Sequence, residues 1–143
     1  MINYEDFVGF DGSDFELGGL SPELLAEGFA FAPDWLPQDF KDFFLDYYSW
    51  TVNGTEILPP APAVVWDNAQ MHLFDNFREW YPDREDFYPI AKLNGASYLV
   101  FHRKSDGQVE CGYYDFTDEA WYGGGPYESF EKWAYALLEN KRD

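Results

Sequence analysis

The chain has one cysteine, two histidines and, from Met1 to Phe40, no lysine or arginine. A lone Cys111 cannot close an intramolecular disulfide, and the acidic start Met1-Ile2-Asn3-Tyr4-Glu5-Asp6 lacks the cationic lead and apolar run of a secretory signal. A reducing cytoplasm is therefore the expected compartment. His72, His102 and Cys111 follow no zinc spacing and are too few for a four-ligand site, so no metal or other cofactor is expected. Apolar runs fall short of the ~20 residues that cross a bilayer. Basic residues number 9 against 27 acidic ones, a formal charge of -18 that repels phosphate backbones and anionic headgroups. Nucleic acid and membrane are thereby disfavoured as partners, and a protein with a basic surface is favoured.

Acidity of this degree usually marks a disordered chain. Here 22% of residues are aromatic, with 14 Phe, 11 Tyr and 6 Trp, enough apolar surface to form a core. At 143 residues, one domain is expected. Half of the net charge lies in Met1 to Phe40, and further acidic clusters fall at Asp83-Arg84-Glu85-Asp86 and Asp115-Phe116-Thr117-Asp118-Glu119. Such clusters can serve solubility, or can steer a cationic partner in a salt-dependent way.

Met1 to Gly19 shows no sustained period and reads as an irregular acidic arm, with residues 20–143 as the folded core. Ser21-Pro22 has the character of a helix start, and Gly28 of a stop. Phe40, Phe43, Phe44 and Tyr47 recur at helical spacing, predicting a helix from about Pro37 to Tyr48. Asn53-Gly54 between Trp50-Val52 and Thr55-Leu58 predicts a hairpin. A short strand is expected over Ala63 to Trp66. The next helix, from about Asn68 to Tyr81, should turn Leu73, Phe74, Phe77, Trp80 and Tyr81 inward before Pro82 ends it. From Phe87 the period falls to two, predicting a three-stranded meander over Phe87–Lys92, Ser97–Arg103 and Gln108–Phe116. Trp121 to Tyr127 reads as a Gly-rich loop. Ser129 caps a last helix to about Asn140, with Phe130, Trp133, Ala134, Leu137 and Leu138 inward and Lys141 and Arg142 at its negative end.

Catalytic and ligand-binding signatures are weak. Asp11-Gly12-Ser13-Asp14-Phe15-Glu16 puts Phe15 where a calcium loop needs oxygen. Gly95-Ala96-Ser97-Tyr98-Leu99 lacks the closing glycine of a nucleophile elbow, and Gly123-Gly124-Gly125-Pro126 lacks the Lys-Ser/Thr of a phosphate loop. Carboxylates near Trp121, Tyr122, Trp80 or Tyr81 resemble a sugar-binding floor, although aromatics at these periods usually belong to a core.

Three stretches resemble a known family. Leu36-Pro37-Gln38-Asp39-Phe40-Lys41-Asp42-Phe43-Phe44 is one. Tyr88-Pro89-Ile90-Ala91, Gly95-Ala96-Ser97-Tyr98-Leu99 and Gly107-Gln108-Val109 form the second, and Tyr127-Glu128-Ser129-Phe130-Glu131-Lys132-Trp133 the third. Their order resembles the SUKH superfamily, which includes fungal cell-wall-synthesis regulators and bacterial immunity proteins. The resemblance implies an α+β domain, a mainly antiparallel twisted sheet with helices packed on it. It also implies a non-enzymatic binder that occludes a toxin, often a nuclease and hence basic. The expected partner-binding residues are Asp83, Glu85, Asp86, Asp115, Asp118 and Glu119, with Trp121 and Tyr122 as aromatic anchors. The alternatives are an acidic adaptor or DNA-mimicking inhibitor and, in a third class, a carbohydrate-active protein.

Overall fold

The computed structural model describes residues 1–10, 12–61 and 69–142, with the backbone alone for 140–142. The fold is α+β, with four α-helices and two antiparallel sheets among the described residues. No described helix is long and apolar enough to cross a membrane.

The segment expected to be an irregular arm carries regular elements. A 3-10 turn at Tyr4–Phe7 leads to strand β1 (Asp14–Leu17), which pairs antiparallel with β2 (Tyr47–Val52). Isolated aromatics hid this, because their partners lie far along the chain: the Phe15 ring stacks on Trp50 at 4.6 Å and Phe7 meets the same indole edge-on at 5.0 Å. Ile2 and Phe7 are buried, and the Tyr135 hydroxyl donates to Asp6 and accepts from the Asn3 amide. Gly19 completes the docking. It lies so close to the Phe44 and Leu45 backbone that a Cβ there has no room, while Leu20 N donates to the Phe44 carbonyl at 2.7 Å.

Helix α1 (Pro22–Gly28) begins as its sequence predicts, with Ser21 Oγ accepting from Leu24 N. Helix α2 (Gln38–Asp46) buries Phe40, Phe43 and Phe44, but it ends earlier than periodicity implied because Tyr47 and Tyr48 already belong to β2. Tyr47 stays inward either way, since both periods turn it to the core. Asn53 at φ 51° and Gly54 at φ 80° make the tight hairpin to β3 (Thr55–Ile57), a turn in which both central residues need positive φ. The strand expected over 63–66, the start of the next helix at Asn68 and the side chains of Lys141 and Arg142 lie outside the described residues. Helix α3 (Gln70–Trp80) buries Phe77 but leaves Trp80 76% exposed, against the inward role that its spacing suggested. Trp80 is the last residue of the helix, where packing no longer dictates its direction.

The second sheet has four strands in sequence order: β4 (Phe87–Lys92), β5 (Ser97–Arg103), β6 (Val109–Asp115) and β7 (Ala120–Tyr127). Strand β7 replaces the expected Gly-rich loop. It pairs Ala120, Trp121 and Tyr122 with Asp115, Tyr114 and Tyr113, then breaks register before Tyr127 meets Cys111. The glycines lie in that irregular stretch, which explains why no period of two was legible. One face of this sheet, with Leu99, Phe101 and Cys111, joins a large core shared with α2, β2 and helix α4 (Phe130–Arg142). The opposite face, with Tyr98, Val100, Tyr114 and Phe87, packs with Phe77 and Phe116 in a smaller core. Ser129 Oγ accepts from Lys132 N at the start of α4, and Trp133 and Ala134 are fully inside.

Candidate functional site

The smaller core has a polar rim built from three chain segments. Pro82 follows α3, and a tight turn returns the chain to β4: Arg84 N donates to the Tyr81 carbonyl, and Phe87 N to the Arg84 carbonyl. This turn lays the Arg84 guanidinium over the Phe87 ring at 4.7 Å and near the Phe116 ring at 5.5 Å. Arg103 N donates to the Asp86 carbonyl, fixing Asp86 at the head of the β4–β5 pair. Register then sets Phe87 beside His102 and His102 beside Glu110.

The side chains form a ladder of carboxylates alternating with nitrogen groups. Glu110 Oε2 lies 2.8 Å from His102 Nδ1, and Asp86 Oδ2 lies 2.9 Å from His102 Nε2. Asp86 Oδ1 stands 3.7 Å from Arg84 Nε, and the other end of Arg84 donates from Nη1 to Glu119 Oε1 at 2.7 Å. A carboxylate only accepts and a neutral imidazole has one N–H, so both His102 contacts act as hydrogen bonds together when the ring carries two. Partial burial works against the charge on Arg84. Its interactions with the Tyr114 hydroxyl and Glu119, and the nearby Asp86 carboxylate, outweigh that and hold its pKa above the ordinary value.

Trp121 stands beside this ladder. Its indole meets Tyr114 edge-on at 5.1 Å and His102 at 6.1 Å, and it is half-buried, with one side on the sheet. An aromatic ring braced in this way has little side-chain freedom left to lose.

The eight expected residues do not converge on one spot. Asp86, Glu119 and Trp121 meet on this face. Glu85 turns to Arg78, 3.2 Å away, while Asp83 and Asp118 are exposed in the two turns that flank it. Asp115 is a turn-former: its Oδ1 accepts from Thr117 N at 2.8 Å and Asp118 N at 3.3 Å. Asp115 and Tyr122 line a different cavity, beside the Asn53-Gly54 hairpin. Strand alternation separates them from Trp121, because neighbouring residues point to opposite faces.

Arg84, His102 and Glu110 were not among the expected residues. A signal for the last two was present: the Ser105-Asp106-Gly107 turn sets His102 against Glu110, on the same face as Val100. The described residues contain no cluster of three or more His, Cys, Asp or Glu side chains able to hold a metal. In searches against protein-family models and curated proteins, the sequence matches none.

Proposed function

We propose that this chain is an immunity protein of SUKH type that binds a cognate basic toxin and neutralises it by occlusion. One observation carries the reading. Asp86, Glu110 and Glu119 are tied to Arg84 and His102 at the rim of the four-stranded sheet, beside the half-buried Trp121, in a chain of net charge -18. Such a face supplies steering charge at its rim and an aromatic anchor within it, the division of labour that gives fast and specific association. The motif order from Leu36 to Trp133 supports the same reading, and a nuclease is the favoured target class because it must itself be basic.

The test begins by capturing partners from source cells at low and moderate salt. A captured basic protein is then expressed in bacteria with and without this chain. Growth arrest relieved by co-expression supports immunity; a captured protein that is acidic, or harmless when expressed alone, contradicts it.

A further inference from the structure

A cleft lies on the opposite face of the four-stranded sheet, between the β2–β3 hairpin and strands β6 and β7. Two adjoining cavities share Asn53 and Tyr113 there. The outer one, about 630 Å³, is also lined by Asn94, Ser97, Asp115 and Tyr122, and the inner one, about 220 Å³, by Tyr127 and Trp133. We propose that this cleft is a binding site for a neutral saccharide of one or two rings, a function separate from toxin binding.

Four features of the cleft define its ligand. First, Tyr122 is 42% exposed and stacked on Tyr113, centroids 5.5 Å apart and planes within 19°, so it is a flat platform backed by a second ring. The C–H face of a sugar ring suits the negative face of such an aromatic. Second, Trp133 is 1% exposed at the wall of the inner cavity. The Tyr113 hydroxyl interacts with both Trp133 and Thr55, which holds the two rings at this wall. An aromatic wall fixed in this way suits the apolar side of a sugar ring.

Third, charge excludes the common anions. No lysine or arginine is among the described residues lining either cavity, and Asp115 supplies a carboxylate. Nucleotides and sugar phosphates would meet repulsion with no compensating cation. Fourth, the amides of Asn53 and Asn94 and the Ser97 hydroxyl both donate and accept, as sugar hydroxyls do. An entirely apolar ligand would strip water from these groups and return no hydrogen bond. Asp115 is held in place because one of its oxygens is tied to the turn amides.

The test is an NMR titration of the ¹⁵N-labelled full chain with glucose, galactose, mannose, N-acetylglucosamine and cellobiose, following the Trp133 indole N–H. At least one sugar should shift that signal saturably, with roughly millimolar affinity. Tyr122→Ala should weaken binding about tenfold while Tyr122→Phe, which keeps the platform, should retain it. Circular dichroism of both variants checks that the fold is intact. The site is overturned if no sugar in the panel moves the signal, or if a folded Tyr122→Ala protein binds with unchanged affinity.

Discussion

Glu119 reaches the Arg84 guanidinium at 2.7 Å from a left-handed backbone position, φ 50°, where a glycine would be relaxed. A non-glycine residue there bears a strain of about 1–2 kcal/mol. The exposed ion pair returns only about 0–1 kcal/mol, so stability alone does not account for this residue. The carboxylate is kept in place on the proposed binding face at a cost to the backbone, a pattern common at functional sites.

Glu119→Gly should therefore leave thermal stability level or slightly raised while it weakens partner association. Melting curves read the first effect and binding kinetics the second. A large loss of stability would assign Glu119 a structural role instead.

Gly19→Ala should destabilise the protein by about 2 kcal/mol or more, because the added Cβ meets the α2 backbone and not a side chain that can move aside. Urea denaturation measures this. A neutral result would mean that residues 1–19 dock loosely, contrary to the buried Ile2 and Phe7.

The integration of that segment was the least legible part of the fold. Helical faces such as Phe40, Phe43 and Phe44, the Asn53-Gly54 turn and the alternation from Phe87 to Asp115 are local patterns, and they specify local structure. Phe7 and Phe15 gain meaning only through Trp50, more than thirty residues away, and β7 is hidden by glycines that interrupt its register. The site followed the same rule. Acidic clustering pointed to Asp86 and Glu119, but His102 and Glu110 join them only through pairing across the sheet, and Arg84 through the turn that precedes β4. Alternation along β7, in turn, parts Trp121 from Tyr122.

A buried hydrogen-bond relay tests the core. The Tyr88 hydroxyl donates to Gln70 Oε1 at 2.6 Å, and Gln70 Nε2 donates to the Leu58 carbonyl at 2.8 Å, with Tyr88 and Gln70 both fully buried. Tyr88→Phe leaves the Gln70 oxygen unsatisfied and should cost about 1–3 kcal/mol. Gln70→Leu should cost more, since it strands both the Tyr88 hydroxyl and the Leu58 carbonyl. Equal losses in urea titrations would contradict the relay.

Alkaline pH should weaken the fold through two buried groups. Burial pushes the Tyr88 hydroxyl well above its ordinary 10.0, and burial with the Asp39 charge pushes the Cys111 thiol well above 9.0. Both groups are held protonated by the fold. Their contribution is complete below the unfolded values and is lost as pH rises past about 9 for Cys111 and about 10 for Tyr88, toward the higher folded values. Cys111→Ala should move the onset of this loss from about pH 9 to about pH 10, read from urea midpoints across the series. An unchanged onset would place the sensitivity elsewhere.

The most direct test of the acidic-face account is the association rate between the captured partner and this chain, measured for wild type and for Glu110→Lys/Glu119→Lys at low and moderate salt. Electrostatic steering predicts a fast wild-type rate that falls with salt, and a reversed face slower by about 10-fold or more at low salt. Equal rates for the two proteins, with no salt dependence, would contradict the account.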